Sequence, residues 1–109
     1  LPNIDELRSL VRGCADTETG GACGVTDGCL DYTSCWSNSC ADCSGGGPGS
    51  GGFYWPAELS GNDNSPYYWS SSAVTNSLGE DWAWSIYFNA GSVDNASVTF
   101  SYSVRCVRD

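Results

Sequence analysis

Trp82-Ala83-Trp84-Ser85-Ile86-Tyr87-Phe88 alternates without a break: Trp82, Trp84, Ile86 and Phe88 fall on one side, Ala83, Ser85 and Tyr87 on the other. A period of two in a stretch rich in aromatic residues specifies a strand with one face turned to a core. Asn89-Ala90-Gly91 follows as a turn. Downstream, Val98, Phe100, Tyr102, Val104 and Cys106 share one face of a predicted final strand, with Ser101, Ser103 and Arg105 opposite. Upstream, Tyr67-Tyr68-Trp69-Ser70-Ser71-Ser72 reads as another strand, preceded by the turn signal Asn62-Asp63-Asn64-Ser65-Pro66. Phe53-Tyr54-Trp55 is strand-like and leads to a turn at Pro56. Short connections of this kind imply antiparallel pairing.

Outside this sheet the sequence has two other textures. Residues 1–13 predict a short helix, with Asn3 as cap, Glu6 at capping-box spacing, and Ile4, Leu7, Leu10 and Val11 on one face before Gly13. From Cys14 to Gly52 periodicity vanishes, and six of the seven cysteines lie there: Cys14, Cys23, Cys29, Cys35, Cys40 and Cys43. So few aliphatic side chains do not offset the entropy of ordering the segment, so disulfides among these six are expected. Six cysteines allow fifteen pairings, and the sequence does not choose among them. The run Gly45-Gly46-Gly47-Pro48-Gly49-Ser50-Gly51-Gly52 lacks the Lys-Ser/Thr of a phosphate cradle and reads as a flexible loop. The fold class is therefore α+β: one domain over residues 1–109, with a short helix, a small antiparallel sheet and a long stapled loop at 14–52.

Composition removes several chemistries. The chain of 109 residues has no His, so a Ser-His-Asp triad, a His-activated thiol and a His-ligated zinc are excluded. Four basic residues, Arg8, Arg12, Arg105 and Arg108, face 13 acidic ones, for a formal charge of −9. That balance excludes nucleic acid as a partner. Apolar runs are too short to span a membrane, and any export signal is expected to have been removed or to lie upstream. Seven cysteines in so short a chain indicate an oxidising, extracellular setting.

Cys35-x4-Cys40-x2-Cys43 has the spacing of three iron–sulfur ligands, but the flanking context and a nearby fourth cysteine are missing. Paired Cys-x2-Cys zinc knuckles are absent. Cys40-Ala41-Asp42-Cys43 has no βαβ frame for a redox dithiol. Glu58 with Glu80 or Asp81 offers carboxylate pairs, but without a readable cleft the expectation is no enzymatic activity.

Between Gly13 and Val104 there are ten acids and no base. Calcium takes carboxylate and amide oxygens from loops, so Glu58, Asp63, Glu80 and Asp81 form the candidate calcium set. Trp36, Tyr54, Trp55, Tyr67 and Tyr87 are the aromatic residues expected off the core face, available to stack on a sugar or a protein partner.

Several strings also resemble a known family. Leu1-Pro2-Asn3-Ile4-Asp5-Glu6-Leu7, Tyr68-Trp69-Ser70-Ser71-Ser72, Trp82 through Val93, and Ser103-Val104-Arg105-Cys106-Val107-Arg108 resemble the Lcl C-terminal-like family, which is close to the Fibrobacter major paralogous domain. The likeness covers both ends of the chain, about half of its residues, with Cys14–Gly52 as an insertion that many relatives lack. It implies a C-type-lectin-like fold on secreted or surface-attached bacterial proteins, with a role in adhesion and in binding sugars or glycosaminoglycans. Relatives carry a strand and a cysteine-bearing helix before the motif that opens this chain. The resemblance therefore implies that Cys106 bonds to a segment this sequence lacks, with Cys14 as the fallback partner. A basic patch for glycosaminoglycans does not fit an acidic, lysine-free chain.

These readings converge on a non-catalytic, secreted or cell-surface module that binds a glycan or protein ligand. The expected contacts are Asn62, Asp63, Asn64, Asp81, Ser85, Tyr87, Asn89 and Ser103, with calcium as the candidate cofactor. The alternative is a structural subunit of an extracellular assembly or filament, joined to another chain through edge strands.

Overall fold

The computed structural model describes residues 2–41, 43, 46–57, 67–75 and 82–97. The predicted final strand, the turn at 62–66 and the basic residues Arg105 and Arg108 lie outside the described residues.

Helix α1 (Ile4–Arg8) opens with the expected capping box: the Glu6 amide donates to Asn3 Oδ1 at 2.8 Å, and the Asn3 amide donates to Glu6 Oε1 at 2.9 Å. Ile4, Leu7 and Val11 are fully buried, each worth about 2 kcal/mol of apolar transfer. The helix stops at Arg8, earlier than the apolar spacing suggested. Leu10 and Val11 close tighter turns onto Leu7 and Arg8, and the Arg12 amide is taken by the Tyr54 carbonyl at 2.9 Å. A tertiary bond replaces the next helical one.

Among the described residues the sheet is an antiparallel meander of β1 (Tyr67–Ala73), β2 (Trp82–Tyr87) and β3 (Ser92–Ser97), in that order. Tyr68 pairs with Ile86, and Ile86 pairs in turn with Val93. Trp84, Ile86 and Phe88 are buried, as the alternation predicted, while Trp82 is only half-buried. In β1 the register slips, so that Trp69 faces Ser85 but Ala73 faces Ala83.

The serine triplet fills that bulge. Ser70 Oγ donates to the Trp84 carbonyl at 2.7 Å and accepts the Ser72 amide at 3.1 Å. The Ser71 amide donates to the Pro2 carbonyl. Ser72 Oγ accepts the Ile4 amide at 2.9 Å and donates to Asp27 Oδ1 at 3.2 Å. Hydroxyls thus replace the ladder bonds lost at a bulge and tie β1 to α1 and to the cysteine segment.

The turn from β2 to β3 requires glycine at position 91. Gly91 has φ +68, and an added Cβ would lie 3.0 Å from the Cys14 side chain and 3.2 Å from Tyr54. Strand β3 carries no strand signal in the sequence, because Ser92-Val93-Asp94-Asn95-Ala96-Ser97 is mostly polar and lacks clean alternation. Its strand state comes from pairing with β2 and from cover by the cysteine segment: Trp36 Nε1 donates to the Val93 carbonyl at 2.8 Å, and the Cys43 amide to the Ala90 carbonyl at 2.8 Å.

The six cysteines of that segment bond among themselves as Cys14–Cys43, Cys23–Cys40 and Cys29–Cys35. Cys14 is therefore not available to Cys106, and the fallback pairing is corrected: Cys43 is held on the Ala90 carbonyl beside the Gly91 turn, against which Cys14 packs. With sequence separations of 29, 17 and 6, the chain-entropy contributions are about 3.6, 3.1 and 2.2 kcal/mol.

A buried cation supplies the rest of the order. Arg8 is 2% exposed, and its guanidinium donates to the carbonyls of Thr17 (2.8 Å), Glu18 (2.9 Å) and Val25 (2.5 Å). Burial lowers its pKa from the ordinary arginine value, with Asp5 acting in the opposite direction.

Within the glycine run, residues 46–52 are likewise tied in place rather than free. Gly47 and Gly49 donate to the Gly52 and Phe53 carbonyls, and the Gly46 amide donates to Tyr54 Oη. A Cβ on Gly49 would lie 2.4 Å from the Trp55 ring, so the backbone lies directly on that indole. Tyr54 and Trp55 are 1% exposed and belong to the core rather than to a binding face. Trp55 meets Phe53 at 5.0 Å, Phe88 at 5.2 Å and Tyr68 at 6.0 Å between ring centroids, all in tilted or edge geometries.

Candidate functional site

The segment Thr26–Trp36 begins with a tight loop in which Thr26 and Cys29 exchange backbone bonds of 3.1 and 2.9 Å. Leu30 then docks on the sheet. Its carbonyl accepts from Thr75 N at 3.0 Å and from Trp84 Nε1 at 3.1 Å. Asp31 follows as the N-cap of the single-turn helix α2 (Tyr32–Cys35), with Oδ1 accepting the Thr33 amide at 2.8 Å and the Ser34 amide at 3.4 Å. The Cys29–Cys35 bond closes the loop.

These constraints form an open pocket of about 370 Å³, lined among others by Asp27, Asp31, Ser34, Thr75 and the Cys29–Cys35 bridge. Two acidic and two hydroxyl-bearing residues therefore line one depression. Tyr32, next in sequence to Asp31 though not itself in the lining, stands out among the described residues as the exposed large hydrophobic side chain, at 43%. Its ring is supported by Trp36 at 5.9 Å and by Trp84 at 6.3 Å, with planes about 30° apart. Trp36 is itself half-buried and fixed by its bond to Val93. An aromatic face held from behind suits the C–H groups of a polyol ring, and the polar lining of a pocket that shares its loop suits the ring's hydroxyls.

The residues expected from the sequence are distributed differently. Ser85 is 1% exposed and its Oγ donates to the Asp94 carbonyl at 3.1 Å, so it is corrected from a ligand contact to a buried sheet residue. Tyr87 is half-buried and stacks on Tyr67, with centroids 4.1 Å and planes 10° apart. Exposed Asn89 donates from Nδ2 to Tyr87 Oη at 3.0 Å. Tyr87 and Asn89 thus meet, around a flat stacked pair.

Asn62, Asp63, Asn64, Asp81, Ser103 and Cys106 lie outside the described residues, as does the calcium set Glu58, Asp63, Glu80 and Asp81. Among the described residues no group of three or more Cys, Asp or Glu side chains could hold a metal ion. Nor is any helix among them long and apolar enough to cross a membrane.

Sequence reasoning missed Tyr32, Asp31, Ser34, Asp27 and Thr75. The available signal was an Asp followed by Tyr-Thr-Ser inside a short Cys29-x5-Cys35 ring, which places a capped turn and one aromatic on a rigid tip. No family model, no curated protein and no solved structure matches this chain.

Proposed function

We propose that the chain is a non-catalytic, secreted or surface-displayed module of the C-type-lectin-like kind that recognises a neutral glycan at the pocket beside Tyr32. The observation that carries the reading is the exposed Tyr32 ring, backed by Trp36 and Trp84, on the same loop as a pocket lined by Asp27, Asp31, Ser34 and Thr75. A sugar offers apolar ring faces and paired hydroxyls, the two features this surface complements. Three disulfides fit an oxidising, extracellular setting.

Charge selects within the glycans. The formal charge is −9, no base lies between Gly13 and Val104, and Arg8 is spent on loop carbonyls. Sulfated or carboxylated sugars meet repulsion here, and neutral ones do not.

The test is binding of immobilised neutral oligosaccharides by the native chain and by Tyr32→Ala and Tyr32→Phe. Losing the ring is expected to weaken binding at least about tenfold, while Phe retains most of it. Full binding by Tyr32→Ala contradicts the reading. Concentration-dependent assembly without glycan affinity would replace it with a structural subunit of an extracellular array.

A further inference from the structure

The pocket has a covalent wall, and that wall is the disulfide with the shortest ring. Cys29 is half-buried and Cys35 is 5% exposed, and both line the pocket. Cys23 and Cys40, by contrast, are 2% and 0% exposed; in the third bond Cys43 is half-buried like Cys29, while Cys14 is 1% exposed and packed under Gly91. Sequence separation sets Cys29–Cys35 apart: 6, against 17 for Cys23–Cys40 and 29 for Cys14–Cys43. A bond closing a short ring removes least entropy from the unfolded chain, so cutting it costs the fold least stability, and its place on the pocket wall gives a reductant access to it.

What the bond holds is equally specific. Helix α2 is a single turn, too short to persist alone. Its N-terminal end stays anchored by the Leu30 carbonyl on Trp84 and Thr75. Its last residue is Cys35, tied back to Cys29. Cutting that tie leaves the other two disulfides in place and leaves the turn that carries Tyr32 and Ser34 held on its C-terminal side by the Trp36 bond to Val93.

We propose that Cys29–Cys35 is a reducible latch that governs the Tyr32 pocket, an inference resting on the site reading above for its link to binding. The reductant class is a dithiol. Its thiolate attacks Cys29 Sγ, the S–S bond breaks, and Cys35 leaves as a thiolate that takes up a proton. The second thiol of the reductant then displaces Cys29 from the mixed disulfide. The chain gains two electrons and two protons, and the dithiol is oxidised to its cyclic disulfide.

The native chain is equilibrated with increasing dithiothreitol, alkylated and mapped by peptide mass against an unreduced control. Cys29 and Cys35 are expected to label at a reductant concentration at least about tenfold below either other pair, with near-ultraviolet dichroism retained. In the same samples amide exchange across residues 30–36 should rise about tenfold, and Cys29→Ser/Cys35→Ser should show that exchange without reductant. Opening of Cys23–Cys40 or Cys14–Cys43 at the same or lower concentration overturns the latch. Selective labelling with unchanged exchange at 30–36 overturns it too. Neutral-glycan binding is measured separately on oxidised chain: binding that survives selective reduction sinks the governing role alone, whereas no binding in either state sinks the site reading.

Discussion

Trp84 Nε1 donates to the Leu30 carbonyl oxygen at 3.1 Å, joining the middle of the sheet to the loop that presents Tyr32. The same indole lies 6.3 Å from the Tyr32 ring. One buried side chain therefore both anchors the loop and backs its aromatic face. Trp84→Phe keeps an aromatic ring but removes the donor. It should lower unfolding stability by about 2 kcal/mol, from the lost bond and the smaller ring. Glycan affinity should fall with it, as read by urea denaturation and a binding titration on the same preparation.

Arg8 is the cation on which the cysteine segment is organised. Arg8→Met leaves three carbonyls, those of Thr17, Glu18 and Val25, without their donor, and should cost roughly 3 kcal/mol. Arg8→Lys should recover only a minor part, because one ammonium lacks the planar fork that reaches three acceptors. Urea midpoints of the oxidised proteins check this; equal stability of Lys and Arg would remove the clamp from the account.

Ser72→Ala removes the acceptor of the Ile4 amide and the donor to Asp27 in one change. The expected loss is about 1–2 kcal/mol. Thermal unfolding under oxidising conditions measures it. Ser71, exposed and using only its backbone amide, serves as the control, with Ser71→Ala expected to lie within about 0.5 kcal/mol of the native chain.

Binding of a neutral glycan should be nearly independent of salt. Between 50 and 500 mM sodium chloride the affinity should change by less than about twofold, since no ion pair is screened. A steep fall with salt would point to a charged ligand instead.

The parts of this molecule legible in the sequence are those written in local pattern. The Asn3/Glu6 capping box and the Trp84-Ile86-Phe88 face both appear as read. What was not legible depends on partners far along the chain. β3 is polar and becomes a strand through Ile86 and the Trp36 bond to Val93. The glycine run reads as loose until Trp55 is seen lying against it. Tyr54 and Trp55 look like surface aromatics because no period marks their burial. At the site, Ser85 follows the alternation and is nonetheless buried, while Tyr32 is presented by a disulfide ring whose pairing spacing alone does not specify.

The central claim is that the Tyr32 pocket is where ligand binds. An amide chemical-shift titration of isotope-labelled native chain with a neutral oligosaccharide found to bind tests it most directly. Shifts concentrated at Asp27, Asp31, Tyr32, Ser34 and Thr75 are the predicted result. Shifts confined to Tyr67, Tyr87 and Asn89, with the pocket unmoved, would contradict it.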